Sequence, residues 1–190
     1  MSDVARIRTF RHALEDGAVD RVERYPWGTL LRADSLGDLW DLNFLRVERG
    51  RRGAGSLARE ADELQADLFH RKVELDHGGG RLADGFRQLG WTATAHVVMV
   101  LRRDPDRGAD ASMVREVSFR ELSAVRERLN EEEYGDAELA QRLTAAKRRV
   151  CRAVRVRNLA AVVRGRIAAY CELRSDGRVA QIEDVNDLER

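Results

Sequence analysis

Between two stretches of clear apolar periodicity lies Arg103-Asp104-Pro105-Asp106-Arg107-Gly108-Ala109-Asp110, which has none. Proline fixes φ and removes an amide donor, glycine loosens the backbone, and the charges gain nothing from burial. The segment reads as a linker over 104–111. Whatever the chain of 190 residues folds into must therefore be built as two parts, 1–103 and 112–190. Each is the size of a small domain.

In the first part, Ile7, Phe10 and Leu14 fall on one face of a helix over Val4–Val22. Thr29–Ala33 and Leu39–Val47 read as strands. Ser56 is placed to cap a helix over 56–69, whose Leu57, Ala61, Leu64 and Leu68 share a face. A strand over 71–75, a helix over 81–89 and a strand over 92–101 complete it. The second part begins with a strand, Val114–Phe119. A helix with Leu122, Val125 and Leu129 follows, and Gly135-Asp136 opens another. Strands near 159–163, 167–173 and 179–185 end the chain, the last two joined by Ser175-Asp176-Gly177-Arg178. Asp-Gly between two apolar runs is a hairpin signal, because both residues tolerate positive φ. The second part is thus β-α-α-β-β-β, and the fold class α/β (α+β), with a mostly antiparallel second half.

Composition excludes several functions. Hydrophobic residues at 43% describe a folded chain. The 34 basic and 33 acidic side chains leave a net charge of +1, without the surplus on which nucleic-acid or membrane-surface binding rests. Cys151 and Cys171 have no metal-ligand spacing, so no metal is expected. MSDVARIRTF lacks the apolar run of a signal peptide, and Val97–Leu101 is too short to span a bilayer. A cytoplasmic protein is expected, with no nucleic-acid or membrane partner.

Three stretches carry a resemblance: Ala168-Ala169-Tyr170-Cys171-Glu172-Leu173, Ser175-Asp176-Gly177 and Ala180-Gln181-Ile182-Glu183-Asp184-Val185-Asn186. With the order β-α-α-β-β-β they resemble the opening half of a bacterial GNAT N-acetyltransferase domain. The resemblance implies acetyl-coenzyme A as co-substrate and a small-molecule or protein amine as acceptor. It places the thioester against the strand Val179–Val185, gives Val185, Asn186 and Asp187 as cofactor-binding residues, and puts an Arg-Gly-x-Gly loop after that strand. Here the chain reads Asp187-Leu188-Glu189-Arg190 and stops, so the resemblance covers half a domain.

The first part resembles the other, cofactor-binding half of that family. Strand 39–47, helix 56–69, strand 71–75, helix 81–89 and strand 92–101 follow its order. Phe86 stands where the family often places an acidic tyrosine. The basic loop Arg49–Ser56 stands where the pyrophosphate loop belongs, with Gly50 at the position of a side-chain donor. Gly53, Ala54, Gly55 and Ser56 are its weaker, amide-only phosphate candidates.

Within this frame Glu183 and Asp184 are the acid–base candidates, since a carboxylate deprotonates the attacking ammonium directly or through water. Strand alternation sets Glu183, Val185 and Asp187 on one face and Ile182, Asp184 and Asn186 on the other, so one carboxylate alone faces a given cleft. Tyr134 and Tyr170 read as half-buried aromatics, Trp27, Trp40 and Trp91 as anchors, and Lys147-Arg148-Arg149 with Arg152 as a solvated helix face. His12, His70, His77 and His96 do not cluster in sequence. Two functions are expected: amine acetylation, or a non-catalytic binding or regulatory module made of acetyltransferase parts. The second predicts a homodimer through an exposed strand edge, or an aggregation-prone monomer. A third reading is an incomplete gene product.

Overall fold

The computed structural model describes residues 1–50, 52–76, 78–104, 108 and 110–188. Among them are five α-helices and two four-stranded sheets, a mixed α/β chain. They divide into two compact units: Val19–Arg102, and Met1–Ala18 together with Arg103–Arg190. Residues 105–107 and 109 of the expected linker lie outside the described residues.

The larger unit takes its first helix from the far end of the chain. α1 (Asp3–Ala18) buries Phe10, Leu14 and Ala18 and packs along α5 (Ala137–Ala153). The approach is close: a Cβ on Gly17 would lie 2.9 Å from that of Ala153. The rest runs β5 (Val114–Val117), α4 (Phe119–Tyr134), α5, β6 (Arg155–Val163), β7 (Arg166–Ser175) and β8 (Ala180–Asp187). The strands pair antiparallel in the order β5-β6-β7-β8.

Local chemistry marks each end. Ser118 and Glu121 form a reciprocal capping box at the start of α4, and Gly135 closes that helix at φ +69°. Asp136 caps α5 by accepting from the Leu139 amide at 3.0 Å. At the β7–β8 turn the Asp176 carboxylate accepts from the Arg178 and Val179 amides at 2.8 and 2.7 Å. Those two bonds, Val179's first, hold its carboxyl below the ordinary aspartate range. The apolar core joins Val117, Leu122, Ala160 and Tyr170, with Val125, Leu129 and Ile167 packed against it.

The smaller unit orders its strands β1 (Arg21–Tyr25), β2 (Gly28–Arg32), β3 (Phe44–Val47) and β4 (Val73–Leu75). The first three are antiparallel, and β4 lies parallel to β3. α2 (Ala54–Leu64) makes the crossover that a parallel pair requires, and α3 (Gly79–Gln88) follows β4. Val47, Ala54, Leu57, Ala58 and Phe86 form a core between strand and helices, walled by Trp27 and Trp91.

Four expectations change here. β1 replaces the end of the helix expected to reach Val22, because only Val22 and Tyr25 of that strand are even half-buried and its apolar signal is thin. The strand expected over 39–47 shrinks to four residues. Asn43, fully buried, donates to the Leu36 and Leu39 carbonyls and accepts from the Ala33 amide, which folds 34–42 into 3-10 turns. The helix expected to end at 69 ends at Leu64, where buried Gln65 bonds the Lys72 carbonyl and amide at 3.0 and 2.9 Å and closes the return loop. The strand expected over 92–101 is absent: those residues have no regular structure, and Val97–Leu101 is exposed.

Close packing at β2 supplies a test. A Cβ on Gly28 would sit 2.3 Å from the Arg46 carbonyl oxygen of β3, a backbone atom that cannot step aside. Gly28→Ala is expected to cost about 1–3 kcal/mol in urea unfolding, as overpacking does. Gly80→Ala, in open space within α3, is the control with the opposite sign, gaining roughly 0.4–1 kcal/mol.

Candidate functional site

Sheet faces that pack on helices are ordinarily apolar, yet the helix-facing side of β6–β8 carries Asn158, Glu172, Arg174, Glu183 and Asp184. Glu172 lies at its centre, fully buried. Its carboxylate accepts from Arg126 Nη2 of α4 at 2.6 Å and from Arg174 Nη2 and Nε at 2.7 and 2.9 Å. Lys147 Nζ of α5 stands 4.0 Å away. A buried carboxylate demands such partners, because desolvation of an unpaired charge costs several kcal/mol.

Arg126 is the hub. It is 3% exposed, and it donates to Glu172, to Asn158 Oδ1 at 3.4 Å and, through Nε, to Asp184 Oδ2 at 3.2 Å. The Phe119 and Tyr170 rings lie 5.2 and 5.3 Å from its guanidinium carbon, within cation–π range. One guanidinium nitrogen, Nη1, is buried without a hydrogen-bond partner.

β8 breaks its ladder at this point. Glu183 pairs with Glu172 and Asn186 with Tyr170, so Asp184 and Val185 together face Cys171 alone. Two residues opposite one make a β-bulge, and Asp184 takes it at φ +55°, a region that Asp tolerates better than most residues. Arg126 and Lys147 Nζ, the latter at 3.6 Å, hold the Asp184 carboxylate there.

The bulge corrects the expected alternation. Glu183, directly opposite Glu172, shares its face, and Asp184, held by the same cations, does too. Both carboxylates therefore face the helices instead of one alone. Their engagement differs: Asp184 is locked in ion pairs, whereas Glu183 accepts from Gln181 Nε2 at 2.5 Å. Asn186 donates to the Asp184 carbonyl at 3.1 Å. Val185, 73% exposed, and Asp187, also exposed, lie outside this cluster.

Other candidates settle as follows. Tyr170 is buried against Arg126; burial first, and the Asp184 carboxylate second, push its hydroxyl up to about 12. Tyr134 and Trp40 are exposed, against their expected half-buried places. Lys147 turns inward, against the expected solvated face, while Arg148 lies over Phe119. His70 bonds the Asn43 carbonyl oxygen at 2.9 Å, a structural role, and His77 lies outside the described residues.

In the smaller unit, the Arg49–Ser56 loop is anchored where the Glu48 and Arg49 amides donate to the Trp27 carbonyl at 3.0 Å. Gly50 takes φ +93°, and Arg51 lies outside the described residues. Arg52 lies 4.4 Å over the Trp27 ring, which stacks on Tyr25, and pairs with Glu60. The N-cap of α2 is Gly53, not Ser56, and no side chain caps it. The Ala54 and Gly55 amides begin that helix ahead of any intrahelical acceptor. The loop and the ionic cluster occupy different units.

Comparison with known proteins adds nothing to this geometry. No family model, curated protein or solved structure matches the chain. Among the described residues, no group of three His, Cys, Asp or Glu side chains is placed to hold a metal, and no helix is long and apolar enough to cross a membrane.

Arg126, Lys147, Glu172 and Arg174 had not stood out as site residues, although the signals were present. Arg126 follows Leu122 by four positions on an apolar stripe, and Tyr170, Glu172 and Arg174 alternate onto one strand face. Two outcomes follow from the cluster. Arg126→Met leaves Asp184 and Glu172 short of a buried cation and is expected to cost about 3–5 kcal/mol in urea unfolding. Cys151 lies 3.8 Å from the Glu172 carboxylate, and burial first, then that charge, push its thiol up to about 11. A raised thiol pKa means a neutral, unreactive thiol at pH 8. Labelling by a disulfide reagent at that pH should be far slower for Cys151 than for glutathione, and should accelerate steeply towards pH 11.

Proposed function

We propose that the chain is built from GNAT-type acetyltransferase parts and that the bulged strand β8 serves acyl transfer from acetyl-coenzyme A to an amine. One observation carries the reading. The strand to which the resemblance gives the thioester has its ladder broken, at Asp184 and Val185. A bulge leaves a backbone group unpaired and re-aims its neighbours, which suits a strand that must offer an amide to a developing oxyanion.

The residues divide the work. Glu183 is the base for the attacking ammonium, since its partner is a neutral amide instead of a cation. Asp184 positions the strand through Arg126 and Lys147. Glu183, bonded to the neutral Gln181 amide, favours a cationic acceptor.

A second reading has its own observation. Ile182 and Val185 on β8 are 67% and 73% exposed, which favours a surface for another chain over a buried catalytic strand. Calorimetric titration of the whole chain separates the two. Acetyl-coenzyme A is expected to bind with micromolar affinity and desulfo-coenzyme A more weakly. Glu183→Gln should retain binding while losing transfer to small primary amines. No heat up to millimolar ligand would overturn the acyl-transfer reading and leave the binding module.

A further inference from the structure

The longest run of strand-forming residues outside a strand is Thr94-Ala95-His96-Val97-Val98-Met99-Val100-Leu101. It has no regular structure. It contains neither proline nor glycine and no charge apart from His96, the composition of a segment that seeks a sheet. Its exposure alternates with a period of two. Val97, Met99 and Leu101 are 83%, 89% and 79% exposed, against 53% for Val98 and 41% for Val100. Five adjacent large apolar residues left this exposed to water are a standing cost relative to burial. Their backbone groups also lie outside any ladder.

A free sheet edge of matching length exists. Among the described residues β8 ends its sheet, with β7 on one side and no strand on the other. It spans eight residues, Ala180–Asp187, as does the segment 94–101, whereas the free edges at β4 and β5 offer three and four. Ile182 and Val185 stand exposed along it and would gain apolar neighbours.

Charge decides which strand it accepts. β8 carries Glu183, Asp184 and Asp187, so pairing with a second β8 would set carboxylates across from carboxylates. The segment 94–101 brings no acid and runs into Arg102-Arg103. Laid parallel to β8, it would put those arginines at the acidic Asp187 end.

We propose that residues 94–101 form a strand by adding to the free edge of β8 in a second copy of this chain. The exchange can be reciprocal, each copy giving one segment and accepting one, which closes a dimer instead of opening a fibre. The main chain supplies the affinity, as in strand addition generally, and the Val, Met and Leu side chains set the register. Nothing in this interface depends on acyl transfer.

The test is sedimentation velocity on the full chain from micromolar to submillimolar concentration, with hydrogen exchange on the same samples. A concentration-dependent dimer is expected, in which amides of 94–101 and 180–187 gain protection together. Val98→Pro and Met99→Pro are the variants. A strand bonds a given neighbour through every second residue, so one of the two removes a bonding N–H and should raise the dimer dissociation constant about tenfold or more. Both positions are solvent-exposed and outside regular structure, so the fold should survive. Ile182→Lys with Val185→Lys should weaken the dimer comparably. A synthetic peptide of residues 92–103 should dissociate it. A monomer at every concentration would overturn the proposal, as would a dimer indifferent to both prolines and the peptide. Protection of 94–101 that is independent of concentration and shared with β4 would also overturn it, placing the strand within its own unit.

Discussion

The Arg126–Glu172 pair governs the larger unit because charges buried this deeply must be paired. Glu172 is fully buried and Arg126 nearly so, at 2.6 Å from one another, and each brings further partners. Around them α4 gives Arg126, α5 gives Lys147, β6 gives Asn158, β7 gives Arg174 and β8 gives Asp184. A buried pair of this kind adds little net stability over a well-packed apolar core, but breaking it is expensive. Its physical consequence is register. β8 cannot slide along β7 without carrying Asp184 away from two cations, and α4 cannot rotate without withdrawing Arg126 from three elements at once.

That constraint explains the bulge. A regular β8 would alternate Glu183 and Asp184 onto opposite faces, leaving one carboxylate away from the cations. The left-handed residue at 184 costs on the order of 1 kcal/mol or more in backbone strain. Ion pairs to Arg126 and Lys147 offset it. The result is a face on which three carboxylates, Glu172, Glu183 and Asp184, meet three cations, Arg126, Lys147 and Arg174. Only Glu183 is spared a cation in the ion pairs described above, whereas Glu172 and Asp184 are tied into the fold by theirs.

How far the sequence reveals all this depends on whether the signal is local. The capping box at Ser118, the stop at Gly135, the cap at Asp136 and the Asp-Gly turn each rest on a few adjacent residues, and the order of the larger unit follows from them. Signals fail where a distant partner decides. Asn43 holds loop carbonyls from Leu36 and Leu39, so the alternation of 39–47 promises more strand than forms. Gln65 ends α2 by reaching Lys72, although Leu68 continues the helical period. Ser56 looks like a cap because serine caps well, yet Gly53 takes the place three residues earlier. α1 lies next in sequence to the smaller unit and packs with the larger, a fact no window of residues contains. For the site, Glu183 and Asp184 were legible as acids beside a hairpin, while the cations that distinguish them come from two helices far away in sequence.

The two sheets also differ in how their edges are managed. β1, at one edge, alternates Arg21, Glu23 and Arg24 with little apolar surface, the usual protection of an edge against unwanted pairing. β8 has Asp184 turned towards the helices by the bulge, so its outer side carries Ile182 and Val185, with Asp187 at its end. The ionic lock that fixes the register of the strand thus removes one charge, that of Asp184, which would otherwise guard it. An edge left apolar by the demands of its own core is one that a neutral, β-branched segment such as 94–101 fits better than a copy of itself does. Interior electrostatics and surface recognition at β8 are two consequences of where Asp184 points.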